Sequence, residues 1–265
     1  MLPFTADDLK AIQNETFIEH LDYFESLAST NTWALHTHCI SAPQRETSFP
    51  VLVLTGKQTA GRGRGSNSWW SAEGGLTFSL VIDAAQHNIP LQQQPLIALA
   101  TGLAVCETIE KYTLDHRLQL KWPNDVFLDG KKVSGILVET SASQPGLVVI
   151  GVGVNLNNSF LSAEAALQSR GTSLYETTGE KFALGAALID LINAIENRLY
   201  DVAGERGELM PAWRRYCLLT GKEIRINTGR ETRQGTCLEI DDAGVLILQT
   251  EEGIERIISG TIEHF

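Results

Sequence analysis

The chain has 265 residues, 43% of them hydrophobic and 20% charged, enough for one large domain or a medium domain with a small companion. Thirty-two acidic residues against 21 basic ones give a formal net charge of -11, so no long-range field would draw in a polyanion or an anionic membrane. Any anion site must therefore be local.

The N-terminal stretch MLPFTADDLK has no basic lead and places acids where a secretion signal needs an apolar core, which predicts a cytoplasmic protein. TADDLKAIQN reads as a short helix with a capping Thr and acids in its first turn. HLDYFESL alternates as a strand does, and STNTWALHTHC opens with cap-type residues and continues at helical spacing. PVLVLTGKQ reads as a buried strand running into a loop, and GGLTFSLVID as the strand that leaves it. The run from Pro95 to about Tyr112 predicts a buried helix; its apolar part, PLIALATGLAVCETI, is shorter than the ~18–20 residues that span a bilayer and contains Thr and Glu.

RLQLKWPNDVFLDGKKVSGILVET predicts a strand, a Pro-containing turn and a hairpin folded at Asp129-Gly130. GLVVIGVGVNL reads as another buried strand, EKFALGAALIDLINAIENRLY as a long amphipathic helix and GELMPAWRRYCL as a second helix. From about Leu219 the chain becomes short strands broken by NTGRET, DDAG and EEG, which suggests a small β-barrel or sandwich. A boundary near Leu218–Gly221 follows, with residues 1–218 as one domain and 219–265 as the other. Hairpins and helices without strict βαβ alternation favour an α+β class for the first.

The loop between the two strands, QTAGRGRGSNSWWSAE, sets two arginines among glycines. It supplies neither the P-loop pattern nor, with GVGVNL at Gly151–Leu156, a complete dinucleotide fingerprint. Gly61, Gly63 and Gly65 let the backbone approach a ligand with amide N–H groups free, and Arg62 and Arg64 offer planar forks suited to carboxylate or phosphate. From composition alone, an equal reading is a surface loop with solvated arginines. Ser29–Asn31 by themselves read first as an N-cap, and Asn124 and Asp125 as turn formers. Cys39, Cys106, Cys217 and Cys237 are scattered without a C-x-x-C pair and read as free thiols. His36, His38 and Cys39 have no second cluster to complete a metal site, so none is predicted.

Five motifs stand in order: STN at Ser29–Asn31, Q-x-x-G-R-G-R at Gln58–Arg64, KWPND at Lys121–Asp125, K-x-x-G-I-L-V-E at Lys132–Glu139 and G-x-G-x-N at Gly151–Asn155. This ordered set resembles the biotin protein ligases, from about Tyr23 to the C-terminus. The resemblance implies a class II synthetase-like central mixed β-sheet flanked by helices, closed by a small SH3-like β-barrel. It implies ATP-dependent formation of biotinoyl-5′-AMP and pyrophosphate, with Mg²⁺, and transfer to one lysine of the carboxyl-carrier domain of a carboxylase such as acetyl-CoA carboxylase.

By the same resemblance Lys132 and Arg64 are the catalytic cations. Ser29, Thr30, Asn31, Gln58, Gly61, Arg62, Gly63, Arg64, Lys132 and Gly135 would bind biotin; Arg62, Arg64, Trp69, Asn124, Asp125, Lys132 and Asn155 would bind ATP or the adenylate. The departure is at Gly65, Ser66, Asn67 and Ser68, uncharged where repressor-type members continue with basic residues, so retention of the adenylate should lean more on backbone N–H groups. With only about twenty residues before the first family strand, no DNA-binding domain is expected. A homodimer is compatible with the sequence. A lipoate or octanoate ligase and a non-catalytic biotin-binding module are the rival readings.

Overall fold

The structure, a computed structural model, describes residues 3–40, 48–113, 115–204 and 207–265. Helix α1 (Ala6–Glu15) starts where expected: the Thr5 hydroxyl accepts from the Asp8 amide while the Asp8 carboxylate accepts from the Thr5 amide. Seven strands form one mixed sheet: β1 (His20–Phe24), β2 (Val51–Thr55), β3 (Leu76–Asp83), β4 (Leu118–Lys121), β5 (Asp125–Leu128), β6 (Lys131–Ser141) and β7 (Gln144–Val154). Their order is β1-β2-β3-β7-β6-β5-β4, with β1 and β2 parallel and the remaining neighbours antiparallel.

Period-two alternation decides what each face does. Leu76, Phe78, Leu80 and Ile82 of β3 and Val148, Ile150, Val152 and Val154 of β7 join the main core. Helices α3 (Leu96–Glu110) and α6 (Leu184–Val202) cover that face and pack on each other. On the other face Val51, Val53, Val81, Leu147 and Val149 make a smaller cluster with Ala34 and Cys39. Those two belong to α2 (Thr30–Ala34) and to the π-helical turn Leu35–Ile40 that prolongs it. Further along the same strands this face turns small or polar, with Thr77 and Ser79 opposite Gly153 and Gly151, and Gly135 opposite Gly153. There Asn31 and Trp69 lie over the glycines in place of an apolar core. That patch is the floor of a cleft.

Short helices α4 (Ala165–Arg170), α5 (Leu174–Thr178) and α7 (Leu209–Arg215) follow or flank α6 and lead to a second sheet. Its strands are β8 (Glu223–Asn227), β9 (Thr232–Ile240), β10 (Leu246–Thr250), β11 (Gly253–Ile257) and β12 (Thr261–His264), antiparallel in the order β11-β10-β9-β8-β12. Among the described residues β11 and β12 do not pair with each other, so this is an open sheet and not the closed barrel the resemblance implied. The reason lies at the β12 edge. The Ile262 carbonyl accepts from Lys121 Nζ at 3.1 Å, and Gly260, just before the strand, accepts from Arg64 Nη1 at 3.2 Å. Edge carbonyls satisfied by side chains of the first sheet need no partner strand.

All four cysteines are free thiols. No helix among the described residues is long and apolar enough to cross a membrane.

Candidate active site

The cleft encloses about 420 Å³ over the glycine-floored patch, walled by the 58–70 loop, β5, β6, the α4 end and the β12 edge. At one end lies a polar niche. Ser29 caps α2, its hydroxyl accepting from the Thr32 amide at 3.4 Å, and still lines the cleft. The Thr30 amide donates to Gln58 Oε1 at 2.8 Å, with the Thr30 hydroxyl 3.1 Å from the same oxygen. Asn31 Nδ2 donates to the Leu137 carbonyl and to Glu139 Oε2, while the Ser79 hydroxyl lies 2.6 Å from Asn31 Oδ1. Thr30, Asn31, Gln58 and Ser79 are buried, and pairing of this density holds polar atoms in fixed directions.

Two glycines create the room. A Cβ on Gly151 would stand 2.7 Å from Asn31 Cγ, and one on Gly153 would stand 2.6 Å from Trp69 Nε1. The GVGV run is therefore neither a nucleotide fingerprint nor a plain buried strand. Its valines fill the core, and its glycines let a cleft amide and an indole lie directly on the sheet.

In the middle of the cleft Lys132 Nζ sits 2.6 Å from Asp125 Oδ1 and 5.9 Å from the Trp69 ring centroid. Lys131 at the start of the strand is exposed, whereas Lys132 is turned into the wall. Arg64 Nη1 donates to the Gly260 carbonyl and, at 3.4 Å, to Asn124 Oδ1; Asn124 Nδ2 donates to the Ile136 carbonyl. Asn155 Oδ1 accepts from Asn158 Nδ2 at 3.2 Å. Trp70 and Phe160 pair at 5.0 Å between centroids and close one side.

The lining holds Arg62, Arg64, Lys121, Lys132 and Arg170 against one carboxylate, Asp125. Burial lowers the pKa of Arg64, with Asp125 working the other way. Burial also lowers that of Lys121, opposed by Asp125 and reinforced by the positive charges of Lys132 and Arg170. A cationic patch set in a chain of net charge -11 is a local device for an anion.

Three expectations need correcting. Gly61 does not line the cleft; it lies under the loop, where a Cβ would meet the Gln58 amide at 2.9 Å and the Trp69 carbonyl. The Arg62 guanidinium does not stand free to meet an anion beside Lys132. It forms a two-pronged pair with Glu139, 2.6 Å and 3.1 Å. The loop amides are not all free: Gly63 donates to the Asn67 carbonyl, Asn67 to the Arg64 carbonyl and Trp69 to the Gly61 carbonyl, because residues 61–69 fold back on themselves around the uncharged 65–68 turn.

Ser79, Arg170, the Trp70–Phe160 pair and the Gly260–Ile262 edge escaped the sequence reading, and Glu139 entered it only as the end of a motif, with no role. Only the two-residue spacing of the glycines in GVGV could have pointed to the floor. His38, considered with His36 and Cys39 as a metal motif, instead pairs with Asp22 at 3.0 Å, which holds the Asp22 carboxyl below its ordinary range. No group of three or more His, Cys, Asp or Glu residues suited to a metal occurs among the described residues. A Mg²⁺ ion arriving with phosphates needs less, one or two carboxylates, and Asp125 in the wall fits that requirement.

Residues 23–155 match the model of the biotin/lipoate A/B protein ligase family, and residues 219–264 that of the biotin protein ligase C terminal domain. The chain is 36% identical over 256 residues to the bifunctional ligase/repressor BirA of Bacillus subtilis, covering 95% of this chain and 76% of that one. It is 31% identical over 217 residues to the biotin–[acetyl-CoA-carboxylase] ligase of Paracoccus denitrificans, covering 77% of this chain and 86% of the relative. The biotin protein ligase of Aquifex aeolicus in complex with biotin and ATP superposes with a TM-score of 0.78 at 28% identity, covering 94% of this chain and all of that one. The fold, the cleft and these matches together make the chain a member of the biotin/lipoate A/B protein ligase family, on its biotin protein ligase branch.

Proposed function

We propose that the cleft joins biotin to ATP, giving biotinoyl-5′-AMP and pyrophosphate, and then passes the biotinyl group to a lysine of a carboxyl-carrier domain, as in acetyl-CoA carboxylase. The observation that carries this reading is a wall in which Arg64, Lys121, Lys132 and Arg170 stand with one carboxylate, Asp125, beside a closely hydrogen-bonded polar niche. In the first step a biotin carboxylate oxygen bonds to the α-phosphorus and pyrophosphate leaves with its electron pair. Two unit charges ~4 Å apart repel by roughly 4 kcal/mol at an effective dielectric near 20, so cations must stand where carboxylate and triphosphate meet.

Ser29, Thr30, Asn31 and Gln58 would take the ureido ring, whose N–H groups and carbonyl match their donors and acceptors. The acyl tail would run past Gly63 and Gly135 to Lys132 and Arg64, which would bridge carboxylate and α-phosphate and stabilise the charge of the transition state. Trp69, Asn124, Asp125 and Asn155 would wall the nucleotide. Arg62 would serve through its loop backbone, since its guanidinium is held by Glu139. Mg²⁺ would be held by the triphosphate and Asp125 and would neutralise phosphate charge. In the second step the carrier amine attacks the anhydride carbonyl and AMP departs.

Residues 1–218 would form the catalytic unit and 219–265 a second unit that lends its edge to the cleft, acting in the cytoplasm where carboxylase and ATP meet. The polar niche favours biotin over lipoate, whose dithiolane ring brings neither N–H donors nor a carbonyl to meet it. Incubation with biotin, ATP, Mg²⁺ and an apo carrier domain should add one biotinyl group to one lysine, read by mass spectrometry, and release pyrophosphate. Preference for lipoate when the two free acids compete, or no pyrophosphate at all, would refute the reading. Arg64→Ala should release biotinoyl-AMP about tenfold faster, by loss of a charge-assisted contact; free adenylate measured without acceptor reports it, and unchanged retention counts against the role.

A further inference from the structure

The two arginines of the 58–70 loop anchor on opposite sides of the cleft. Arg64 reaches the Gly260 carbonyl, while Arg62 reaches Glu139 on β6. The second contact is fork on fork, with Nη2 to Oε1 at 2.6 Å and Nη1 to Oε2 at 3.1 Å; Nη1 also lies 3.4 Å from Thr32 Oγ1. Such pairing fixes direction as well as distance.

The same Glu139 Oε2 accepts from Asn31 Nδ2 at 2.9 Å. Asn31 is thereby turned so that its Oδ1 meets Ser79, inside the polar niche. Glu139 is not itself part of the lining; it stands behind the wall with its side chain 22% exposed. One carboxylate therefore holds both the niche and the loop. The start of the loop is pinned by its backbone, Thr59 donating to the Leu27 carbonyl and Ala60 to the Ala28 carbonyl, but beyond Ala60 the Arg62–Glu139 pair is the side-chain anchor at this end, because Gly61 and Gly63 bring no side chains.

We propose that Glu139 is a positioning residue which locks the 58–70 loop onto the polar niche and so keeps the acyl-adenylate in the cleft between the two half-reactions. The proposal rests on the function given above. It assigns Glu139 no contact with substrate: the carboxylate orders Arg62 and Asn31, and they order the wall.

Glu139→Gln retains an acceptor for Asn31 but removes the charge that holds Arg62. It should raise KM for biotin and the rate of adenylate escape about tenfold each, with KM for ATP within about twofold. Arg62→Ala should do the same, and the double variant should be no worse than either single, since both break one contact. Arg62→Lys, which keeps the charge without the fork, should fall between. A merely structural role would instead lower Tm and disturb both KM values alike.

Wild-type adenylate retention in Glu139→Gln, or additive losses in the double variant, would overturn the proposal. If Glu139→Gln does not fold, Arg62→Ala and Arg62→Lys carry the same test, and wild-type retention in Arg62→Ala is decisive against it. A wild-type protein that releases no pyrophosphate would instead bring down the function itself, and this proposal with it.

Discussion

Lys132→Ala should lower pyrophosphate release by at least about a thousandfold, equivalent to ~4 kcal/mol of transition-state stabilisation, while the chain still folds. The size of the effect has two sources. The ammonium is the cation set into the middle of the cleft, and its loss removes attraction for the α-phosphate. Its loss also leaves Asp125, now 2.6 Å from Nζ, without the partner that fixes its direction beside the triphosphate and Mg²⁺. Folding should survive because both members are partly exposed, 34% and 21%, and pairs of that kind contribute about 1 kcal/mol or less. Lys132→Arg should recover part of the rate, since the charge returns but a planar fork replaces a point donor. Exchange of labelled pyrophosphate into ATP, with thermal unfolding followed in parallel, reads both halves; a loss of tenfold or less would defeat the assignment.

Gly153→Ala should raise KM for ATP by about one to two orders of magnitude and leave KM for biotin nearly unchanged. The reason is steric. A methyl group would stand 2.6 Å from Trp69 Nε1, and the other indole atoms there are no farther, so the ring must leave the floor. In a close-packed wall that shift is not absorbed by small adjustments. Gly151→Ala, two residues earlier on the same strand, provides the contrast. Its methyl would stand 2.7 Å from Asn31 Cγ and should damage KM for biotin instead. Separate KM determinations test the pair. If both variants raised the two constants alike, the division of the floor into a biotin end and a nucleotide end would be wrong.

The elements were largely legible because their signals are local. The Thr5 box, the buried apolar runs of β3 and β7, the Asp129-Gly130 hairpin and the long α6 period can each be read from a dozen neighbouring residues. The cations of the cleft were also visible as residue types, since arginine among glycines and a lysine near a Pro turn are unusual company. Their partners were not. The C-terminal strands announced themselves through their turns, yet whether they close into a barrel depends on what meets the β12 edge, and Arg64 and Lys121 meet it from 196 and 141 residues away.

What composition and order alone establish is therefore a kind of chemistry: a globular α+β chain, anionic overall, that gathers cations beside small polar residues. Contacts between residues distant along the chain had to decide which cation faces the ligand. Arg62 and Arg64 are equivalent on paper, two positions apart in one loop, but one finds Glu139 and the other Gly260. Lys131 and Lys132 are equally matched until β6 turns one outward and the other toward Asp125. A strand's period says which residues share a face; only the packed sheet says which face floors the cleft, and a charge acquires its role from the partner that folding brings to it.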